Sequence, residues 1–213
     1  MDPSRKPLQY FVWGALLATL AGISAAFLWS QLSDARAPEL PVISQLPDFV
    51  LTNQASQPFT KSSLIGHVTL ADIIFTRCAG PCPEMTRKMS ALQKALPADP
   101  AVHLLTLTTD PGHDTPDVLK QYGSRFNADF ARWSFLTGPK PEIARLAVGG
   151  LKLVAEEKPS QDRTSAEDLF IHSTIFVIVD KQARLRGPFD SSEPDFEKRV
   201  RAAVKKLLKE KAP

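Results

Sequence analysis

Between Pro7 and Ser33 the chain carries no charge, and LQYFVWGALLATLAGISAAFLWSQL within that window is mostly apolar. At ~1.5 Å per residue, roughly 20 such residues cross a bilayer core. Trp13 and Trp29 stand toward the two ends, where amphipathic rings favour the interface. The pattern then changes. Residues 34–47 (DARAPELPVISQLP) hold three prolines and no clear period, which predicts a linker. DFVLTN and QPFT predict short strands about a turn. VTLADIIF, 68–75, is a nearly continuous apolar, β-branched run, as in a strand buried on both faces. PEMTRKMSALQKAL follows with Met85, Met89, Leu92 and Leu96 at helical spacing.

Further on, AVHLLTLTT predicts a strand and TPDVLKQYGSRF a helix capped by Thr115, with Pro116 in its first turn. WSFL predicts a short strand. PEIARLAV predicts a helix ended by Gly149-Gly150, and LKLVA the strand after it. AEEKPSQDRTSAED is a polar loop. STIFVIVD and ARLRGPF predict a hairpin around Lys181-Gln182, and PDFEKRVRAAVKKLLKEK a helix with Phe196, Val200, Ala203, Val204 and Leu207 inward. Alternating strands and helices predict an α/β three-layer domain with a mixed sheet. The expected division is an N-terminus at 1–7, a transmembrane anchor at 8–32, a linker at 33–47 and the α/β domain at 48–211.

A retained anchor fits better than a cleaved signal peptide. The apolar run exceeds the roughly 7–15 residues of a signal core, and the one A-x-A pattern, Ala35-Arg36-Ala37, is followed by Pro38. Arg5 and Lys6 before the span favour a cytoplasmic N-terminus, so the domain is expected on the outer, oxidising side. A net charge of only +3 over 213 residues gives no global argument for nucleic acid.

The chain has two cysteines, in IIFTRCAGPCPEM, so it is not a disulfide-stapled mini-domain. Cys78 and Cys82 fall at the end of the buried strand and the start of the helix, the edge of an open α/β sheet where sites form. A helix N-terminus at Cys82 would favour a thiolate, the form needed for both disulfide exchange and soft-metal binding. CAGPCP is similar to the thioredoxin CGPC motif with one residue inserted. Asp72, six residues before Cys78, is an unusual residue in an apolar strand. Thioredoxins have a buried Asp at that offset, and such a carboxylate can relay a proton; a polar pocket or a loop cap is an equal reading.

A metal would need more ligands than two thiolates. Of the four histidines, His67 and His103 sit at the far ends of their strands, His113 lies in the DPGHDTP loop, and His172 opens STIFVIVD. His172 has the best position, but spacing alone does not lift a lone histidine above a structural or surface role. Two thiolates and an imidazole suit Cu(I), whereas Zn(II) would want a fourth ligand. Met85 and Met89 could add sulfur; at helical spacing they read as core.

LADIIFTRCAGPCPEM, TLTTDPGHDTP, RWSFLTG, IHSTIFVIVD and RLRGPFD together resemble the Sco/SenC family, over about residues 40 to 210. These are membrane-anchored thioredoxin-like proteins linked to cytochrome c oxidase assembly. The resemblance implies a thioredoxin-like fold and a copper ion, Cu(I) or Cu(II), held by Cys78, Cys82 and His172. It implies delivery to the copper-bearing subunit of the oxidase, with a copper donor chaperone or thiol reductant as further partners. It also implies a single-pass protein of a bacterial-type inner membrane, its domain periplasmic, or the equivalent intermembrane-space arrangement. Asp110 and Asp72 are candidate carboxylates near the metal. The Gly-Pro before Cys82 departs from many members and keeps a thiol–disulfide oxidoreductase open, with Cys78 attacking and Cys82 resolving. A peroxidase using Arg77 beside Cys78, and a plain structural disulfide, complete the alternatives. The basic C-terminal helix reads most simply as amphipathic with a solvated face.

Overall fold

The computed structural model describes residues 6–35, 40–153 and 174–211, in two units, Met1–Glu39 and Leu40–Pro213. In the first, α1 (Lys6–Ala35) includes the stretch Tyr10–Trp29, which is long and apolar enough to cross a membrane. Its one threonine in that stretch, Thr19, donates its hydroxyl to the Ala15 and Leu16 carbonyls, so the polar group is satisfied within the helix.

The second unit is a mixed eight-stranded sheet flanked by helices. Its strands are β1 (Ser44–Gln45), β2 (Val50–Asn53), β3 (Pro58–Thr60), β4 (Val68–Ile74), β5 (Val102–Thr108), β6 (Trp133–Thr137), β7 (Ile175–Val179) and β8 (Arg184–Asp190). Their order is β1-β8-β7-β4-β5-β6-β2-β3. β4, β5 and β6 are parallel, joined through α2 (Cys82–Ala95) and α3 (Pro116–Arg125); β7 runs antiparallel to β4. Every residue of β4 is buried, as a central strand covered on both faces requires.

Side-chain alternation along β4 divides the interior into two cores. Val68, Leu70 and Ile74 face α2, α3 and α5 (Phe196–Leu208), packing with Met85, Met89, Leu92, Leu119 and Val204. Ala71 and Ile73 face the other layer, with Leu51, Ile143, Leu146 and Val177. The methionine stripe is therefore core, as its spacing predicts, and so are all five inward positions expected of α5. α3 begins as its sequence predicts, with Thr115 accepting from the Val118 N–H and Pro116 in the first turn.

Two expectations need revision. The segment 33–47 enters the sheet before its end: Ser44–Gln45 pair with β8 and Leu46 is buried. LKLVA is not a strand over its described residues, 151–153. α4 (Lys140–Ala144) runs into a π-helical turn (Arg145–Gly150), and the Leu151 and Leu153 N–H groups close it by donating to Leu146 and Ala147 carbonyls. Lys152 between them has a positive φ of 58°, which breaks any extended run.

Candidate metal centre

Cys82 is the first residue of α2, and Cys78 lies on the turn that leaves β4, its N–H donating to the Phe75 carbonyl at 3.2 Å. Both sulfurs are buried, at 5% and 4% residue exposure, and their thiols are joined by a hydrogen bond. The helix start does not make Cys82 acidic. Its thiol is pushed strongly up, first by the hydrogen bond with Cys78, then by burial, while a hydrogen bond from the Phe75 backbone pulls the other way. A sulfur with little access to water keeps its proton until a cation or a reacting disulfide takes its place.

Asp72 belongs to the same layer. It alternates with Leu70 and Ile74 on the α2 face of β4, is wholly buried, and is raised to about 7 by that burial. In the parallel register it stands beside Thr106, whose hydroxyl donates to Oδ1 at 2.7 Å; the Trp133 indole N–H donates to Thr106 in turn at 2.9 Å. Oδ2 has no partner. The carboxyl is close enough to the pair to raise Cys82 further when charged. Tyr122 and Thr86 close the cluster. Thr86 bonds the Cys82 carbonyl at 2.9 Å and the Tyr122 hydroxyl at 2.8 Å, and burial raises the phenol.

The DPGHDTP loop braces the cysteine turn. Asp114, wholly buried, accepts from the Thr76 N–H (3.1 Å), the Thr76 hydroxyl (2.5 Å) and the Thr108 hydroxyl (2.5 Å). His113 Nδ1 lies 3.0 Å from the same carboxylate, and Asp110 pairs with Arg77 at 2.6 Å. Arg77 is thus committed to Asp110, and Asp110 reaches the cysteine turn through it. The ligand atoms of Asp110, His113 and Asp114 lie within 4.8 Å of one another. However, both Asp114 oxygens are already taken and Asp110 is held by Arg77, so the group acts as a bracket on residues 76–78. Sequence reasoning missed Asp114, which sits at a helix entry like any capping residue. The signal was there in Thr76, Thr108 and Asp114, short polar residues flanking two buried strand ends.

His172 lies outside the described residues. The strand it precedes does not. β7 pairs with β4 through Thr69↔Val179, Leu70↔Ile178 and Ala71↔Val177. Carried along, that register sets Thr174 beside the carboxyl end of β4, the edge that bears Cys78. His67 and His103 are brought together at the opposite end, their rings stacked with centroids 4.2 Å apart and planes 9° from parallel.

A thioredoxin-like sheet with a buried Cx3C pair at its carboxyl edge narrows the family. The SCO1/SenC family model matches residues 41–209. The chain belongs to the SCO1/SenC family. The SCO1 protein homolog of Bacillus subtilis (strain 168) is 30% identical over 181 residues, covering 83% of this chain and 91% of that protein. BsSco, a member of the Sco family of cytochrome c oxidase assembly proteins with an identified disulfide switch, superposes with a TM-score of 0.68. It is 28% identical, covering 82% of this chain and all of its own (100%). Bradyrhizobium japonicum ScoI, solved with copper bound, gives a TM-score of 0.65 at 25% identity, over 78% of this chain and 100% of its own. Within this family Asp72 and the Asp114 bracket are features of the chain itself, present whichever chemistry the thiols perform.

Proposed function

We propose that this Sco/SenC protein is a membrane-anchored copper chaperone. It takes up one copper ion through Cys78, Cys82 and His172 and passes it to the dinuclear copper site of cytochrome c oxidase. The observation that carries the reading is the meeting of two buried soft donors at the carboxyl edge of the sheet, beside which β7 pairs with β4. Thiolate pairs favour Cu(I), which accepts low coordination, and such a site releases its ion by ligand exchange with an acceptor's thiols. The hydrogen bond with Cys78 and burial hold the Cys82 thiol protonated, which makes loading proton-coupled, since the metal must displace that proton. Copper-bound ScoI supports the choice of ion. α1 is the anchor, and the domain lies on the periplasmic side or its mitochondrial equivalent, where the oxidase subunit carrying the acceptor site is reached. A donor chaperone or a thiol reductant supplies the reduced, loaded state.

A second reading rests on Asp72. As a thiol–disulfide oxidoreductase, the chain would attack an acceptor disulfide with Cys78, forming a mixed disulfide and releasing one acceptor thiol. Cys82 would then attack the Cys78 sulfur, freeing the second acceptor thiol and leaving a Cys78–Cys82 bond. The buried carboxyl of Asp72, whose charge is felt at Cys82, would take the Cys82 proton.

One experiment separates the two. The full chain, loaded with Cu(I) under anaerobic conditions, is mixed with the copper-free, reduced oxidase domain; in parallel, the copper-free reduced chain is mixed with the oxidised domain. Copper transfer in the first mixture, with little reduction in the second, is expected. Reduction without transfer would replace chaperone by reductase.

A further inference from the structure

The basic C-terminal helix plays no part in the chemistry above. Lys198, Arg201, Lys205 and Lys209 recur at helical spacing along α5 and its cap, all exposed, with Ala202 exposed among them. The inward side of the same helix is core, and its one acidic residue near the C-terminal end, Glu210, is turned away toward Arg186.

Arg186 is what gives the stripe a location. It is buried, at 7% exposure, and donates through Nε and Nη2 to the Leu40 carbonyl at 2.9 and 2.6 Å. The same guanidinium holds Glu210 at 2.6 and 2.9 Å and Asp180 at 2.9 Å. Lys181 adds bonds to the Leu208 and Glu210 carbonyls. The first residue of the globular unit and the cationic end of α5 are therefore fixed one guanidinium apart. In the sequence, residues 36–39 alone stand between the end of α1 and Leu40. Val42 and Ile43, just beyond Leu40, are large apolar residues left 51% and 46% exposed. A row of exposed cations on a domain that also exposes large apolar side chains is the composition that binds an anionic bilayer surface.

We propose that the outer face of α5 seats on anionic phospholipid headgroups of the membrane that α1 crosses. This rests on the reading of α1 as an anchor. The contact orients the domain, so that the copper edge is presented to a membrane-embedded acceptor in a restricted set of directions rather than on a freely turning tether.

The test uses the full chain in nanodiscs, with Cys78 and Cys82 replaced by Ser and a nitroxide placed at Ala202→Cys. A second sample carries it at Ala55→Cys, in the β2–β3 turn at the opposite edge of the sheet. Relaxation by nickel chelated on lipid headgroups reports proximity to the bilayer. With phosphatidylglycerol present, strong relaxation is expected at position 202 and little at 55. At 202 it should fall severalfold in pure phosphatidylcholine, in raised salt, and in Lys198→Glu/Arg201→Glu/Lys209→Glu, a surface variant whose melting temperature should not change. Equal relaxation at 202 in both lipids, or none in either, overturns the assignment and leaves the stripe to an acidic protein. Failure of the chain to co-elute with nanodiscs would instead remove the anchor, and the inference with it.

Discussion

A pair of potential ligand residues lies at each end of the central strands β4 and β5, and the two ends differ in kind. At the carboxyl end, two thiols share a hydrogen bond, a buried carboxyl lies below them, and a bracket of Asp114, Thr76 and Thr108 fixes the turn. At the amino end, His67 and His103 stack nearly parallel. Lone pairs lying in parallel ring planes run side by side and do not converge on one ion. Proximity of ligand types makes a site only where their donor atoms point at a common place and where exchange of protons for metal is possible. The two ends also titrate in opposite senses. Burial raises Asp72 to about 7 and lowers His103 to about 4, the latter helped by His67 and Arg132.

The comparison breaks most completely at the sulfurs. Cys78→Ser or Cys82→Ser should lower Cu(I) affinity by at least about a thousandfold, or ~4 kcal/mol, in a competition titration. The double variant His67→Gln/His103→Gln should leave it unchanged. Copper affinity lost with the histidine pair would mean that the wrong end has been read as the site.

Asp114→Ala comes next. It strands the Thr76 N–H and two hydroxyls in a buried place, so urea unfolding should show a loss of about 3 kcal/mol. Copper affinity should fall about tenfold as the cysteine turn loosens, by comparison with the effect of other outer ligand partners. Unchanged affinity with reduced stability would show that the bracket serves the fold alone.

Asp72→Asn acts through pH. The folded carboxyl keeps its proton up to about 7, whereas the unfolded one loses it near 3.8. Wild-type stability is therefore greatest below the lower value and declines as pH rises through the upper one. Asparagine removes that decline, so the variant should be about 4 kcal/mol more stable than wild type above neutrality and equal to it in acid. His103 runs the other way. Its neutral form is held down to about 4 while the unfolded ring protonates near 6.5, so stability present above 6.5 is lost as pH falls through 4. Being half-buried, it should account for only about 1–2 kcal/mol after solvent screening. His103→Gln should flatten that acid limb in pH-dependent melts.

The fold was legible because its signals are strong and local: a charge-free span, a nearly continuous apolar central strand, three helix starts marked by proline, and a stripe of buried positions in α5. β1 was not legible, since two residues on a sheet edge carry no period. Nor was the end of the π-helical turn, where Leu151 and Leu153 alternate with Lys152 like a strand while their N–H groups are spent on the preceding carbonyls. At the site, position alone picked out Cys78 and Cys82. Asp114 escaped because a buried carboxylate and a helix-capping one look alike in sequence. Thiol acidity was misjudged for a similar reason: a helix start is visible in the sequence, whereas the hydrogen bond with Cys78 and the burial that raise the Cys82 thiol are tertiary facts.

The most direct test of the copper centre is an anaerobic Cu(I) titration of the reduced chain against a competing chelator, with wild type and His172→Ala side by side. One tight equivalent in wild type, weakened by orders of magnitude in the variant, is predicted. Weak binding in wild type, or an unchanged affinity in the variant, would contradict a site built from Cys78, Cys82 and His172.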